Sequence, residues 1–406
     1  MHSFSVQPGE VFHTQHWEAA ISDTAVGLLR QAMEPDLLAI TLTGSLARHE
    51  GSFLEEPEGW RLLGDCELLV VLREHCAAPS LQHQQSLAYR IEQALLQEGL
   101  RAEISISMAP PDYLRHMPPH LFGYELRHSG KVLWGELDVL KRIPSLDPRQ
   151  LPAEDAWRLL CNRMIELLPA MPACLVQSRL TPRDAYPWVK LYLDLATSYL
   201  IFIGEYLPTY AERSRRLRQR AEEANPAAPF PLAPLARQVD DCTRWKLSPS
   251  RATQQLFPAP QALLQAVTYA HELWRWELMQ MTQTEDSCTD RELWRRWLGR
   301  QPWINRVRGW AGGARRQGLA GWKQWPGWAA QAARHSPRHA IYAVGCELFF
   351  RMPELARGGL SAAEIAGYAA RLPLTGHRAG APEYCASDLL RLVVENYRCL
   401  AQPTRA

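Results

Sequence analysis

The sequence lacks paired cysteines, long apolar runs and a strong net charge. Its nine cysteines are scattered over 406 residues without a CxxC pair, so they indicate neither a zinc ribbon nor a disulfide framework. Unpaired thiols of this kind are typical of the cytoplasm, where we expect the protein to reside. The formal net charge of +2 selects no partner, because only local clustering of charge could favour nucleic acid or a membrane surface.

No targeting or membrane-spanning segment is predicted. Residues 1–16 contain Glu10 and three histidines and have no apolar core, unlike a secretory signal. The most apolar helical stretch, residues 191–207, is interrupted by Asp194 and Glu205. It falls short of the about 20 apolar residues that a membrane span needs, so we expect no transmembrane segment.

The order of apolar patterns predicts an α+β fold. A helical period over residues 17–33 precedes strand-like runs at 37–43, 66–72 and 102–108, and a second helical period at 80–97 separates the last two runs. Such an order is typical of a mixed sheet with flanking helices.

The pattern changes after Pro144, where strand-like runs end and helical periods take over. We therefore predict two domains. Residues 1–145 would form the domain with the mixed sheet, and residues 146–406 a larger all-helical domain that binds an acceptor or a partner. The Pro/Ala-rich residues 225–235 could subdivide the helical domain.

Two carboxylates lead the second strand-like run. Asp65 and Glu67 flank Cys66, and since side chains on a strand alternate between faces, both carboxylates would project from the same face. Their mutual repulsion would be relieved by a divalent cation. The third run carries Glu103, and three carboxylates could converge if the two runs are neighbours in one sheet. Otherwise Asp65 and Glu67 only solvate the start of a strand, and Glu103 is an exposed strand residue.

A Gly-Ser turn precedes these carboxylates. The first run ends in Leu42-Thr43-Gly44-Ser45-Leu46-Ala47-Arg48, and Gly64-Asp65-Cys66-Glu67-Leu68 follows after a gap. A Gly-Ser turn, a gap, an Asp-x-Glu on a strand and a later acidic residue resemble the nucleotidyltransferase superfamily related to DNA polymerase β, over about the first third of the chain. The gap of nineteen residues between Ser45 and Asp65 is longer than that family's usual spacing, and its Gly/Pro-containing sequence predicts a loop or a hairpin at the mouth of the site.

The resemblance implies a catalytic domain that transfers a nucleoside monophosphate from an NTP, ATP in our prediction, to a hydroxyl with the help of two Mg²⁺ ions. Gly44 and Ser45 would hold the triphosphate, because a glycine lets backbone N–H groups approach its oxygens, and Arg48 would clamp it by charge. Asp65 and Glu67 would bind the metal ions. Glu103 would bind one of them or accept the proton of the acceptor hydroxyl.

The helical part supplies one further candidate. Tyr186, Lys190 and Asp194 fall at helical spacing and form a polar seam on an apolar helix. The enzymes that this chain resembles place residues of a helical domain against the nucleotide or the acceptor, so Lys190 is a candidate phosphate contact. The alternative is an ion pair between Lys190 and Asp194.

Residues 291–338 combine positive charge with tryptophan. They contain eleven Lys or Arg residues, seven tryptophans and one acid, Glu292. Such a region could stack bases and contact phosphates or touch a membrane peripherally. It could equally be a helical core whose tryptophans pack while its arginines are solvated.

The acceptor that we predict is a sugar or another small molecule rather than RNA, because residues 1–145 carry no basic stripe. Two other functions stay open. The fold could be a catalytically silent scaffold or nucleotide sensor, or the protein could bind nucleic acid or a membrane surface through residues 291–338.

Overall fold

The computed structural model has an α+β fold composed of two compact units, and neither unit is one continuous segment. The first comprises Met1–Pro152, Ile203–Pro226 and Leu232–Phe257, and the second comprises Ala153–Phe202, Ala227–Pro231 and Pro258–Ala406. The residues that the structure describes are 8–177, 180–223, 227–249, 260–285, 287–318, 325–357, 359–374 and 385–401.

Five strands form one mixed sheet in the first unit: β1 (Leu37–Thr43), β2 (Phe53–Glu56), β3 (Gly59–Leu72), β4 (Leu100–Ala109) and β5 (Lys131–Gly135). Strand β3 pairs antiparallel with β1 and β2 and parallel with β4, and β1 pairs antiparallel with β5. The parallel pair requires a crossover, which a helix provides.

Helices make up most of the remaining described chain. In chain order they are α1 (Pro8–Met33), α2 (Gly44–Ala47), α3 (Leu81–Gln97), α4 (Pro111–Arg115), α5 (Leu121–Ser129), α6 (Ala153–Leu167), α7 (Met171–Val176), α8 (Pro182–Phe202), α9 (Tyr210–Ala221), α10 (Leu232–Leu247), α11 (Pro260–Thr282), α12 (Asp290–Arg300), α13 (Trp303–Gln317), α14 (Trp325–Ala332), α15 (Pro337–Phe350), α16 (Met352–Leu355), α17 (Ala362–Ala370) and α18 (Ala386–Asn396). Helices α1–α5, α9 and α10 belong to the first unit, and the others belong to the second.

The sheet packs on both faces, and this packing leaves one part of β3 open. Cys66 and Val70 contribute to an apolar core shared with α1 and α3. Val71, on the opposite face, packs against apolar residues of α4, α5 and the short turn after β5. Asp65 and Glu67 alternate with Cys66 and therefore share the face of Val71, but they lie further towards the start of the strand.

A hairpin fills the gap between the Gly-Ser turn and the carboxylates. Glu56 of β2 pairs with Gly59 of β3 across a two-residue turn. Gly59 has a φ of +122°, and a Cβ there would overlap the carbonyl oxygen of Gly99, so only glycine fits. Of the loop and the hairpin that the sequence left open, the structure forms the hairpin. Because β3 begins at Gly59, Asp65 lies inside the strand rather than at its start.

The second unit is helical throughout its described residues, with α8 at its centre. Leu191, Leu195 and Tyr199 of α8 are completely buried, and the helix contacts α6 and α11. An apolar helix without a wide polar side requires such a central position. Within the described ranges, no helix combines the length and the apolar character that crossing a membrane demands.

Candidate functional site

The turn after β1 is built around Gly44. Strand β1 ends at Thr43 in an extended conformation, and α2 starts with Gly44, whose φ of +70° lies in the left-handed region. Thr43 is the register partner of Glu67, which brings the turn against β3. A Cβ at position 44 would stand 3.0 Å from Oε2 of Glu67. Both the backbone conformation and the neighbouring carboxylate therefore favour glycine at this position.

Asp65 and Glu67 project from one face of β3, as the alternation of side chains predicts. Asp65 is exposed and Glu67 is half-buried, whereas Cys66 between them is buried. Burial raises the pKa of the Cys66 thiol, and the charges of Asp65 and Glu67 raise it further. The thiol therefore stays protonated at neutral pH and is a poor nucleophile. The two carboxylates are the groups available for chemistry on this part of the strand.

Glu103 lies beside Asp65 on the neighbouring strand. In the parallel pair of β3 and β4, Asp65 is the register partner of Glu103, and Glu67 is the partner of Ser105. Register partners on adjacent strands present their side chains on the same face. Glu103 and Ser105 are both exposed there. The three carboxylates thus share one face of the sheet. From the sequence alone, this was expected only if the two strands were neighbours.

These carboxylates do not form a complete cage for a metal ion. Among the residues that the structure describes, no group of three or more His, Cys, Asp or Glu side chains is arranged so that it could hold a metal ion. Mg²⁺, however, commonly takes one or two protein carboxylates and completes its shell with water and substrate phosphates. The carboxylate oxygens of this face are of the ligand type that Mg²⁺ prefers.

Arg48 is buried, and two carboxylates hold it. Its side chain is 5% exposed, its Nε donates to Oε2 of Glu50 at 3.1 Å, and its Nη1 lies 3.4 Å from Oε1 of Glu125. The guanidinium also lies over the ring of Tyr210. Burial lowers the pKa of Arg48, but Glu125, Tyr210 and Glu50 outweigh that effect and raise it above its ordinary value. A phosphate contact by Arg48 stays a prediction.

Glu50 connects the segment after the turn to α9 and α10. Its Oε1 accepts a hydrogen bond from the backbone N–H of Tyr210 at 2.6 Å, and its carbonyl oxygen accepts one from Nζ of Lys246 at 2.7 Å. Its own backbone N–H donates to the carbonyl oxygen of Ser45 at 2.8 Å. Glu50 and Lys246 are both buried. We refer to Arg48, Glu50, Glu125, Tyr210 and Lys246 as the buried network.

The buried network could not be recognised from the sequence. Tyr210 and Lys246 lie 160 and 196 residues from Glu50 along the chain, and neither belongs to a recognisable motif. A buried lysine has no sequence signature, because lysine is usually exposed. The available signal was weak: Glu50 stands two residues after Arg48, and a carboxylate at that spacing can hold the guanidinium.

Lys190 lies on α8 in the second unit. It is half-buried, and its Nζ lies 5.8 Å from the centre of the Tyr186 ring. Asp194 is buried and accepts a hydrogen bond from Nε of Arg163 at 2.6 Å. The carboxylate that the sequence offered as the alternative partner of Lys190 is therefore engaged by Arg163. A phosphate contact by Lys190 stays a prediction.

Most of the described tryptophans of residues 291–338 contribute to the core of the second unit. Trp297, Trp310 and Trp328 are buried, and Trp294 stacks on Trp274. These contacts favour the core interpretation for most of the region. Trp303, in contrast, is exposed. Trp322 lies outside the described residues, and so does the side chain of Trp325.

Comparison with known proteins adds no family to this geometry, since no protein-family model and no curated protein matches the chain. What the site can do follows from its own parts. A left-handed glycine without a side chain gives a backbone that an anionic ligand can approach. Three carboxylates on the adjoining face offer hard oxygen ligands for a cation.

Proposed function

We propose that the protein is a Mg²⁺-dependent nucleotidyltransferase that transfers a nucleoside monophosphate from an NTP, most simply ATP, to the hydroxyl of a sugar or another small molecule. The observation that supports the proposal is that the Gly44 turn, Glu67 and the register pair Asp65–Glu103 share one side of the sheet. In the proposal, the turn would seat the phosphates and the carboxylates would hold their counter-ions.

Each residue of this face receives a role. Asp65 and Glu67 would hold Mg²⁺, which when bound neutralises the triphosphate and stabilises the charge that develops on its oxygens. Gly44 and Ser45 would seat the β- and γ-phosphates. In the transfer, the acceptor oxygen forms a bond to the α-phosphorus while the bond from that phosphorus to pyrophosphate breaks. Glu103 would take the proton of the acceptor hydroxyl or share the metal.

Arg48 takes a supporting role in the proposal. It stands four residues after Gly44, and its guanidinium is held by Glu50 and Glu125. Glu50 in turn binds the carbonyl oxygen of Ser45 through its backbone N–H. Arg48 would therefore act on the triphosphate chiefly by fixing the segment that follows the turn.

The exposure of the carboxylates favours a small acceptor. Asp65 and Glu103 are open to solvent, and neither is held by a cation in the part of the chain that the structure describes. An RNA backbone is bound chiefly through Lys and Arg side chains, and this face presents carboxylates instead, whereas a neutral hydroxyl compound needs no basic contact. RNA is accordingly the less favoured acceptor.

The test uses NTPs that are labelled at the α-phosphate. The purified full chain is incubated with each NTP and Mg²⁺, alone and with a cell extract, and label transferred to extract components is measured. The Asp65→Ala/Glu67→Ala variant should lose at least roughly a hundredfold in transfer rate, because several kcal/mol of charge stabilisation are removed. The matched control is Glu55→Ala/Glu98→Ala, which removes the same charge from two exposed residues of the first unit and should retain activity.

Two results would overturn the enzymatic proposal. Equal transfer by the wild type and the Asp65→Ala/Glu67→Ala variant would place the chemistry elsewhere. Binding of labelled NTP without transfer to any component would instead support the catalytically silent alternative, a nucleotide sensor or scaffold.

A further inference from the structure

The outward side of α13 carries apolar residues that the fold does not use. Trp303 is 70% exposed, Val307 47% and Ile304 36%. At 3.6 residues per turn, these three positions and those of Arg308 and Arg315 fall on one continuous arc of the helix. We call Trp303, Ile304, Val307, Arg308 and Arg315 the α13 face.

The side of α13 that faces away from this arc is fixed to the second unit at Gly309. Trp310, which lies beside Trp303 at the edge of the arc, is buried, and its Nε1–H donates to the carbonyl oxygen of His335 at 2.8 Å. A Cβ at Gly309 would stand 3.0 Å from Cδ of Pro337, so the helix lies close to the start of α15. Because these contacts set the rotation of the helix, the α13 face points outward as a property of the fold.

The surroundings of the α13 face are positively charged. Helices α12 and α13 contain eight arginines and two acids, Asp290 and Glu292. Asp290 is held by His271 and Arg275, and Glu292 accepts the backbone N–H of Thr289 in a capping box. Both acids thus already serve structural contacts, whereas the exposed Arg308 and Arg315 place positive charge beside the apolar residues on the same arc.

We infer that the α13 face docks on the surface of an anionic lipid bilayer. A helix with tryptophan and aliphatic residues bordered by arginines is suited to the boundary between headgroups and acyl chains. The arginines complement lipid phosphates. The indole of Trp303 is amphipathic and therefore suited to the level of the headgroups. Ile304 and Val307 make single-stranded RNA a less suitable partner of the α13 face, because bases stack on aromatic rings and gain little from aliphatic side chains.

The test measures co-sedimentation of the full chain with vesicles. One set contains phosphatidylcholine and phosphatidylglycerol in equal molar parts, and the other contains phosphatidylcholine alone. The wild type should bind the anionic vesicles and bind the neutral ones much less. The Trp303→Ala and Val307→Asp variants should each lose about tenfold in partitioning, since each removes apolar area from the buried contact.

Val176→Asp is the matched control. Val176 is also an exposed valine of the second unit, 70% exposed at the end of α7, so the same substitution there changes charge and apolar area without touching the α13 face. This variant should bind vesicles as the wild type does. Because all of the substituted residues are exposed, circular dichroism melting should be equal for the four proteins, and the comparison is made at equal folded fraction.

Four outcomes would overturn the inference. The wild type could fail to bind anionic vesicles, or Val176→Asp could lose as much binding as Val307→Asp. A homopolymeric RNA could bind instead with a steep salt dependence, whereas an apolar contact with lipid keeps part of its affinity at high salt. Finally, light scattering could show a wild-type dimer that Trp303→Ala converts to a monomer, which would make the face an interface between two copies.

Discussion

The carboxylate of Glu67 lies against Gly44, with Oε2 at 3.0 Å from the point where a Cβ of residue 44 would stand. Turn and carboxylate are therefore coupled, since a Cβ at position 44 would make the carboxylate of Glu67 shift by a few tenths of an ångström. Gly44 therefore has a structural role beside Glu67 in addition to its proposed role in binding phosphate.

The first prediction compares two glycines with nearly the same positive φ. Gly44 has a φ of +70° and Gly204 a φ of +71°, but a Cβ at Gly204 would meet nothing within 4 Å. Replacement by alanine should cost each protein about 1 kcal/mol of unfolding free energy through backbone strain. Only Gly44→Ala should also lose nucleotide transfer. Urea unfolding and the labelled-NTP assay measure the two effects, and an equal loss of transfer in Gly204→Ala would contradict the proposed coupling.

The second prediction concerns Asp65 and the stabilisation by ligands. Asp65→Asn removes one of two neighbouring like charges, so the stability of the free protein should not fall. Mg²⁺ with a non-hydrolysable ATP analogue should raise the Tm of the wild type, by an amount that corresponds to about 2.7 kcal/mol at a hundredfold excess over Kd, and this gain should vanish in Asp65→Asn. Asp112→Asn, at an exposed position of the same unit, should keep it. A full ligand effect in Asp65→Asn would argue against a metal site there.

The third prediction tests the buried network. Lys246→Met deletes the donor to the carbonyl oxygen of Glu50 and a buried cation next to Arg48 and Glu50. The unfolding free energy should fall by about 3 kcal/mol. Arg244→Met on the same helix removes an exposed cation whose ion pairs are solvated, and it should change stability by less than about 0.5 kcal/mol. Denaturant titration followed by circular dichroism distinguishes the two, and similar losses would show that the network does not stabilise the first unit.

The fourth prediction is a pH dependence that arises in the second unit. Glu277 is completely buried and accepts the hydroxyl hydrogen of Ser198. Burial raises its pKa to about 8, although the bond from Ser198 opposes the shift. The folded state therefore retains a proton that the unfolded chain releases above its ordinary pKa of 4.5. This stabilisation is complete below that value and is lost as the pH rises to about 8.

Glu277→Gln should remove this dependence, because a neutral amide cannot ionise. Between pH 5 and pH 8, as the sign of the shift requires, the wild type should lose several kcal/mol of unfolding free energy relative to the variant. Glu395→Gln changes an exposed carboxylate of α18 and should follow the wild type. Parallel curves for the wild type and Glu277→Gln would show that this carboxyl is ionised in the folded protein.

The sheet could be predicted where local pattern decides it. The apolar run at 37–43 is strand β1, and the helix at 80–97 differs from α3 by one residue. The start of β3 was placed too late, since its first half is half-buried and has little apolar alternation. Its pairing with β2 across the two-residue turn and the close approach to Gly99 hold that half in the sheet. The contact with Gly99 joins segments that are distant in sequence.

The sequence does not predict helix α10, because the Pro/Ala-rich residues 225–235 indicate a break in the helical domain. Pro234 is the third residue of the helix, and proline is tolerated in a first turn, where its missing N–H would have no partner. The error also hid Lys246, the residue through which α10 binds Glu50. Helix α13 is also difficult to predict. Its three glycines lower the helix propensity of the segment, and the sequence does not reveal that Gly309 is needed for close packing on Pro337.

The interleaving of the two units sets an order for synthesis. The chain leaves the first unit after Pro152 and returns to it at Ile203 with α9 and α10. On the ribosome, the strands therefore emerge long before Tyr210 and Lys246. The hydrogen bonds that these two residues donate to Glu50 can form only after both have been translated. A nascent chain that stalls before residue 203 already carries Asp65 and Glu67 on β3. The segment behind Gly44 reaches its final position only when the helix that bears Lys246 has been translated.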